Sequence, residues 1–166
     1  MLGLLGSRAK LKCDLSKCII PSSARFRDPS RIMICAYVRI GQKCYIDGAG
    51  KVFIGSGTTF AEGVTVLSSN HNFKSPKLLP FDTLENYKKV EIGDACWLGH
   101  NSIVLPGTTI QDNVILAAGS VARGVLYENG VYAGNPAIRV AEREISLSNE
   151  LENYIQYKAI TGDILR

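Results

Sequence analysis

A hydrophobic repeat with a period of six residues constrains this chain more than any other feature. A period of six fits neither the turn of an α-helix nor the two-residue alternation of an ordinary strand. The period is therefore best explained by short strands joined by tight turns. If three six-residue units form the three faces of one coil, successive coils stack about 4.8 Å apart, like neighbouring strands in a sheet. The repeat therefore predicts a parallel β-helix with large apolar side chains pointing inward. These positions are Ile34, Ile40, Ile46, Ile54, Phe60, Val66, Ile92, Leu98, Val104, Ile110 and Leu116.

Small residues accompany the repeat at two positions. The residue after an inward position is often glycine, as at Gly41 and Gly55. We expect these glycines to turn the backbone at the corners with φ values that most residues avoid. Four positions after an inward residue stands another small or β-branched residue, and Cys44 and Cys96 occupy such positions. We interpret these two thiols as inert core groups, not as ligands or nucleophiles.

The repeat is interrupted twice, and both interruptions follow a third-face position. The interval from Ile46 to Ile54 is eight residues, and the interval from Val66 to Ile92 is much longer. Both insertions should therefore leave the solenoid at the same corner, on successive coils. A corner that accumulates insertions is typical of a binding edge. The longer insertion, a loop at residues 71–90, has a length that is uncommon in a compact domain unless the loop is functional.

Length and composition predict one domain over residues 1–166. We expect an N-terminal cap region at 1–30, the hexapeptide β-helix at 31–140 and a short C-terminal α-helix at 148–161 that covers the last coil. No segment has the roughly 20 apolar residues of a membrane span, and a net charge of +4 argues against a nucleic-acid partner. Five cysteines without C-x-x-C spacing indicate neither a disulfide framework nor a zinc site. We expect a cytoplasmic protein that requires no metal.

Three segments make the chain resemble the hexapeptide-repeat acyltransferases, in particular the maltose, galactoside and polysaccharide O-acetyltransferase branch. They are Ser-Asn-His-Asn at 69–72, Ile-Gly-Asp-Ala-Cys-Trp-Leu-Gly at 92–99, and Ala-Ala-Gly-Ser at 117–120 followed by Ala-Gly-Asn-Pro at 133–136. The resemblance covers about residues 30–140. It implies left-handed coils and a homotrimer whose active sites lie between subunits. It also implies that acetyl-coenzyme A (acetyl-CoA) lies along a groove parallel to the helix axis.

His71 is the residue that the resemblance identifies as the catalytic base. An acceptor hydroxyl must lose its proton while it attacks a thioester carbonyl, and an imidazole, which titrates near neutral pH, is suited to take that proton. The other ring nitrogen needs an orienting partner, and Asp82, Glu85 or a neighbouring subunit remain open for this role. The alternative interpretation is a histidine at the loop entry whose ring bonds a backbone carbonyl.

The resemblance also implies contacts with the co-substrate. The backbone of His100 is expected at the acetyl or pantetheine end. Its imidazole, where relatives have Ser or Ala, is either a polar contact or a solvated group. Ala118 would offer main-chain hydrogen bonds to pantetheine. Arg123 and Gly124 stand where relatives have a Thr-Lys pair. Arg123 and Arg139 are expected to contact the phosphates of coenzyme A, with ordinary solvated charges as the alternative.

Three further residues are candidates for the acceptor side of the site. Asp47 lies at the insertion corner, where its carboxylate would accept a hydrogen bond from a sugar hydroxyl. Asn70 immediately precedes His71 in the first matching segment. Trp97 either forms a wall of the acetyl site or packs under the loop.

The leading hypothesis is an acetyl-CoA-dependent O-acetyltransferase acting on a sugar or a surface-glycan precursor by direct transfer. The same machinery acting on serine, an antibiotic or the amine of an amino sugar is the first alternative. A zinc carbonic anhydrase on this solenoid needs three histidine ligands, and the chain has two histidines. A solenoid that only binds partner proteins is the non-enzymatic alternative, and it would not require His71 at the loop.

Overall fold

Seventeen short strands account for nearly all regular structure in residues 11–145, the part of the chain that the computed structural model describes. Two single-turn 3₁₀ helices lie near the start of this region, Leu15–Lys17 before β1 and Pro29–Arg31 between β1 and β2. The strands are β1 Arg25–Arg27, β2 Ile32–Ile34, β3 Tyr45–Asp47, β4 Val52–Ile54, β5 Thr59–Phe60, β6 Thr65–Val66, β7 Ser69–His71, β8 Glu85–Tyr87, β9 Val90–Ile92, β10 Trp97–Leu98, β11 Ile103–Val104, β12 Thr109–Ile110, β13 Ile115–Leu116, β14 Val121–Ala122, β15 Val125–Leu126, β16 Gly130–Gly134 and β17 Ala137–Glu142.

Three five-stranded sheets form the faces of a solenoid. Sheet 1 has the strand order β2-β4-β9-β12-β15, sheet 2 the order β5-β10-β13-β16-β17, and sheet 3 the order β1-β3-β6-β11-β14. Apart from β7 and β8, which form a separate two-stranded sheet, and β17, which follows β16 in the same sheet, consecutive strands pass from one face to another. Pairing within the three faces is parallel except between β16 and β17. This topology confirms the all-β solenoid of hexapeptide repeats that the sequence predicts.

The inward side chains stack in register, as the six-residue phase predicts. Ile54 pairs with Ile34 on one side and with Ile92 on the other. Leu98 pairs in the same way with Phe60. All five side chains are buried, and burial of each stabilises the fold by about 1.5–3 kcal/mol. The core is therefore a set of apolar columns that run parallel to the solenoid axis.

The solenoid begins earlier than the sequence indicates. The expected cap region at 1–30 contains a further coil, because β1 pairs in parallel with β3 and isolated bridges join Lys12 to Met33 and Ile19 to Arg39. The predicted C-terminal helix at 148–161 lies outside the described residues. Within residues 11–145 no helix has the length and apolarity needed to cross a membrane.

The glycines that follow inward residues have a different role from the expected one. Gly41 and Gly99 do not have positive φ values; the positive values occur two residues later, at Lys43 (φ 57°) and Asn101 (φ 54°). Gly41 is required by close approach between coils: a Cβ there would lie 2.5 Å from the backbone carbon of Ala61. The expectation that these glycines turn the corner by their φ angle is therefore wrong, and the physical reason for them is contact between coils.

Replacement of Gly41 by Ala should destabilise the fold more than replacement of Gly57 by Ala. At Gly41 the backbone of the next coil must move, which costs about 3 kcal/mol. Gly57 has φ +68° but open space around its Cβ position, so alanine there costs about 1 kcal/mol of backbone strain. Urea unfolding of both variants measures the difference, and an equal or reversed order would contradict this account.

The two core thiols are buried, as predicted. Cys44 Sγ donates to Ala61 O at 3.1 Å, and Cys96 Sγ donates to Gln111 O at 3.1 Å. Burial raises the pKa of Cys96 to about 12, so its reactive thiolate form is scarce at neutral pH. These contacts support the interpretation of both cysteines as structural.

Two corners of the solenoid matter for the site. The hairpin corner is where the chain passes from sheet 3 to sheet 1, at residues 48–51, 67–89, 105–108 and 123–124. The His100 corner is where the chain passes from sheet 2 to sheet 3, at residues 61–64, 99–102 and 117–120. Both insertions in the repeat leave at the hairpin corner, as the phase predicts.

Candidate active site

The long insertion forms a β-hairpin at its base, not an irregular loop along its whole length. Strands β7 and β8 pair antiparallel, with Ser69 opposite Tyr87, Asn70 opposite Asn86 and His71 opposite Glu85. The stem therefore starts two residues before the expected loop boundary at His71. Backbone pairing through this register holds the entry and exit of the insertion together.

His71 and Glu85 point to the same face of this hairpin. Lys88 N donates to Ser68 O at 2.8 Å and Asn72 N donates to Leu84 O at 3.1 Å. Hydrogen-bonded and non-hydrogen-bonded pairs alternate along an antiparallel ladder. The His71–Glu85 pair, next to Asn72–Leu84, is therefore of the non-hydrogen-bonded type. Side chains in such a pair stand closest to each other, with Cα atoms about 4.5 Å apart. The hairpin therefore places a carboxylate beside the imidazole.

His71 is exposed at the hairpin corner, and its ring stacks on Phe81. The ring centroids are 3.9 Å apart and the planes are inclined by 12°. The His71 backbone N–H donates to Asn70 Oδ1 at 2.9 Å, so the Asn70 side chain shapes the chain at the histidine. Stacking limits the orientations of the imidazole while its ring edge, with both nitrogens, is left outside the stacked contact.

Of the two nearby carboxylates, Glu85 is better placed to orient His71. Asp82 lies in the turn region, where it accepts from Asn72 Nδ2 at 2.8 Å and from Leu84 N at 2.9 Å, and the bond from Leu84 lowers its pKa. Glu85 stands directly across from His71. A hydrogen bond from Arg27 is the main cause of the lowered pKa of Glu85, and the charge of His71 adds to it.

Arg27 is a residue of the site that sequence analysis missed. Its Nη2 donates to Glu85 Oε2 at 2.7 Å, and its Nη1 donates to Ser69 Oγ at 3.1 Å. The sequence did carry a signal: Phe26 precedes Ile46 by the same interval that separates Ile46 from Val66. Extending the phase backwards would have placed Arg27 beside Asp47, with which it is in register.

Asp47 does not have the predicted role of an open acceptor for a sugar hydroxyl. Its side chain is buried, and it accepts from Ala49 N at 3.0 Å and from Ser69 Oγ at 2.5 Å. Arg27 Nε lies 3.8 Å from the same carboxylate. The structure therefore makes Asp47 an internal anchor for the hairpin base, because its oxygens are already engaged and shielded from solvent.

Trp97 lies on the outer face of sheet 2, and this position removes the alternative in which it packs under the hairpin. It stands in register between Thr59 and Ile115, and 52% of it is exposed. The hairpin leaves the solenoid between the other two sheets. Trp97 is thus available to a ligand or to another molecule on sheet 2.

The His100 corner carries the residues expected near pantetheine. His100 is exposed, and its carbonyl accepts from Gly119 N at 2.8 Å. Ala118 is also exposed, and within residues 11–145 its N–H has no hydrogen-bond acceptor. Glu62 lies one coil away, where the charge of His100 contributes to its lowered pKa after the larger effect of Lys43.

The two arginines expected to contact phosphate lie in different surroundings. Arg123 is exposed at the hairpin corner, and no carboxylate in residues 11–145 pairs with it. Gly124 follows it with φ +73° and open space around its Cβ position. Arg139, on β17, donates through Nη2 to Glu142 Oε1 at 2.8 Å and to Glu128 O at 3.3 Å. The charge of Arg139 is therefore partly balanced by Glu142 before any phosphate binds.

Within one chain these residues are not gathered in a single cleft. His71, Asn70, Arg123 and Gly124 lie at the hairpin corner, whereas His100 and Ala118 lie at the His100 corner on the other side of sheet 3. Within the described residues no group of three or more His, Cys, Asp or Glu side chains has the arrangement of a metal site. This geometry offers an imidazole beside a carboxylate, from His71 and Glu85. Elsewhere on the surface of the described residues it offers the N–H of Ala118 and the guanidinium of Arg123.

We expect Glu85 to stabilise the fold in a pH-dependent way. Its lowered pKa means that the stabilisation is complete above the ordinary glutamate pKa of about 4.3 and is lost as pH falls through the lowered value. Glu85→Gln should therefore reduce the free energy of unfolding by about 1 kcal/mol at pH 7, with a smaller deficit at pH 3. Urea unfolding at both pH values measures this. Glu91→Gln, which breaks a more exposed ion pair with Lys89, is the control. A deficit of equal size at both pH values would contradict the assignment.

Comparison with known proteins gives consistent matches. A family model described as bacterial transferase hexapeptide (six repeats) matches residues 89–124. WbbJ of Escherichia coli strain K12, for which O-acetyl transfer in lipopolysaccharide biosynthesis is proposed, is 41% identical over 108 residues, covering 60% of this chain and 55% of WbbJ. The chain thus spans little more than half of that relative.

Two further matches extend over more of the chain. The dTDP-4-amino-4,6-dideoxy-D-glucose acyltransferase of Escherichia coli is 31% identical over 134 residues, covering 78% of this chain and 69% of that protein. The crystal structure of a hexapeptide-repeat acetyltransferase from Vibrio cholerae O1 biovar eltor, complexed with acetyl-CoA, superposes with a TM-score of 0.73 at 19% identity. That match covers 83% of this chain and 74% of the other, and it shows a shared fold.

Proposed function

The chain belongs to the hexapeptide-repeat acyltransferase family, and from this premise we propose that it transfers an acetyl group from acetyl-CoA to a hydroxyl of a sugar or surface-glycan precursor. The observation that carries the proposal is His71, exposed at the corner where the insertion leaves the solenoid and standing opposite Glu85. The relative proposed to act in lipopolysaccharide biosynthesis supports a glycan acceptor. Five free cysteines fit a reducing cytoplasm.

In this reaction His71 acts as the general base. Its unprotonated ring nitrogen accepts the proton of the acceptor hydroxyl while the hydroxyl oxygen attacks the thioester carbonyl carbon. The carbon–sulfur bond then breaks, and the proton held by His71 passes to the departing thiolate. Transfer is direct, so no acyl-enzyme forms.

Glu85 acts on His71 through orientation and charge. As the cross-strand neighbour it would accept a hydrogen bond from the ring nitrogen that does not face the acceptor, and this bond would fix the tautomer of the base. Its negative charge stabilises the imidazolium that forms during transfer. Stacking on Phe81 holds the ring plane at the same time.

Binding of acetyl-CoA uses groups from both corners. The free N–H of Ala118 and the backbone of His100 suit the amides of pantetheine. Arg123 with Gly124, and Arg139, whose charge Glu142 partly balances, suit the phosphates. Because the base and the Ala118 N–H lie on opposite sides of sheet 3, we propose that a complete site forms between two copies, in a homotrimer. Asn70 and Trp97 would then line the acceptor side.

Acyl transfer to the amine of a nucleotide-linked amino sugar is the second candidate. The relative named dTDP-4-amino-4,6-dideoxy-D-glucose acyltransferase matches a larger share of this chain than WbbJ does. An amine needs the same removal of a proton, so His71 would serve both reactions. Serine, an antibiotic and a purely structural solenoid are further outcomes to separate in the same assay.

The test is thiol release from acetyl-CoA, screened over simple sugars, nucleotide sugars, aminated sugars, serine and antibiotics. His71→Ala should retain its fold and coenzyme A binding and lose turnover by about 10²- to 10⁴-fold, because general-base catalysis contributes that much. His100→Ala, which changes the other histidine, is the matched control and should lose far less. Turnover by His71→Ala close to that of the unchanged protein would sink the assignment.

The phosphate contacts have their own test in coenzyme A binding. Arg123→Ala should weaken binding about 10- to 150-fold, because one charge-assisted contact with phosphate is worth about 1.5–3 kcal/mol when partly shielded. Arg139→Ala should have a smaller effect, since Arg139 is paired with Glu142. Calorimetric titration with coenzyme A and with a form lacking the 3′-phosphate identifies the phosphate involved. Unchanged affinity in both variants would remove these residues from the site.

A further inference from the structure

Arg27 joins three separate parts of the molecule. It lies on β1, in the first coil, and its Nε is 3.8 Å from Asp47 on β3 and 3.8 Å from Asp28. Its guanidinium also bonds Ser69 on β7 and Glu85 on β8. Among residues 11–145 it is the only solenoid side chain that hydrogen-bonds both strands of the hairpin stem. Its side chain is 29% exposed, so its charge is partly shielded from water.

The planar guanidinium suits this position because its N–H groups form a rigid fork. One arm bonds β7 through Ser69 and the other bonds β8 through Glu85, so one side chain connects both strands to the solenoid. Buried Asp47 supports the same point, since it accepts from Ser69 Oγ and faces Arg27. Towards its tip the hairpin exposes Phe73, Leu78 and Leu79, so its base is the part that the solenoid holds.

We propose that Arg27 is a positioning residue for the transferase reaction: it holds Glu85 in place opposite His71 and balances the charge of that carboxylate. This inference rests on the proposed function. Without Arg27, Glu85 would be free to rotate away from His71 or to pair fully with the imidazolium. The base would then be misplaced or harder to deprotonate.

The charges around the pair set the direction of the pH effect. Asp28 and Asp47 face Arg27 from the solenoid, Tyr87 hydrogen-bonds Glu85 from the same hairpin face, and Arg31 lies close enough to act on Tyr87. Removal of the Arg27 cation leaves an excess of negative charge near His71. Negative charge favours the protonated imidazole, so the acid limb of the kcat/KM profile should move to higher pH.

The experiment compares Arg27→Gln and Arg27→Lys with Arg25→Gln. Arg25 lies two residues earlier on the same strand, exposed on the outer face over the ring of Tyr45, and therefore serves as the matched control. Hydrogen exchange of the Asn72 and Lys88 amides reports on the hairpin independently of activity. The pH profile of kcat/KM, with kcat and KM measured separately, reports on positioning.

For Arg27→Gln we expect at least tenfold faster exchange in the hairpin with unchanged exchange in β10–β13. We also expect kcat to fall about 10- to 100-fold, KM to change by less than about threefold, and the acid limb to rise by about 0.5–1 pH unit. Arg27→Lys should restore the pH midpoint but only part of kcat, because an ammonium lacks the fork.

Each measurement can overturn the proposal separately. Unchanged hairpin exchange in Arg27→Gln would show that Arg27 does not hold the hairpin. Faster exchange with the pH midpoint and kcat of the control would show a structural role without positioning. If the unchanged protein transfers no acetyl group to any acceptor, the proposed function fails, and the positioning role fails with it. The exchange data alone then decide whether Arg27 holds the hairpin.

Discussion

Stacking of one coil on the next, at the spacing of hydrogen-bonded strands, is the constraint on which the rest of this structure depends. It aligns inward side chains in columns, as with Ile54 between Ile34 and Ile92. It also leaves no room for a Cβ at Gly41. Both insertions leave the solenoid at a corner, where extra residues do not disturb the in-register stacking of inward side chains on the faces. The position of His71 therefore follows from the geometry of the coils.

A buried carboxylate links the stability of the solenoid to the geometry of the site. Burial of Asp47 is costly unless its oxygens are hydrogen-bonded and its charge is balanced. Ala49, Ser69 and Arg27 meet these requirements. Two of these three also hold the hairpin. The interactions that make the buried charge tolerable are thus the same ones that fix the stem beneath the proposed base.

The core and the insertion corner could be predicted from the sequence because a β-helix is nearly one-dimensional, so that a local period translates directly into position. The reason for glycine at position 41 could not be predicted, because a Cβ there would clash with the backbone of Ala61 on the next coil. The role of Asp47 was predicted wrongly because the hairpin residue that donates to its carboxylate, Ser69, lies 22 residues later in the chain. Arg27 was missed because the repeat was counted only from Ile34, although Phe26 continues its phase one coil earlier. Contacts across coils that depend on an insertion are not visible in a periodic pattern.

The reversal of β17 onto β16 gives the solenoid a defined end at sheet 2. Upstream of that reversal, equivalent positions such as Glu91 and Thr109 are register partners separated by one uninterrupted coil. Equivalent positions are consequently separated along the axis by a whole number of coils. Arg123 lies two coils from the hairpin base, about 10 Å along the axis. Duplication of one coil between β9 and β15 would lengthen this separation by one strand spacing and leave both ends intact. The distance between the hairpin base and a residue of a later coil is therefore a whole multiple of the strand spacing.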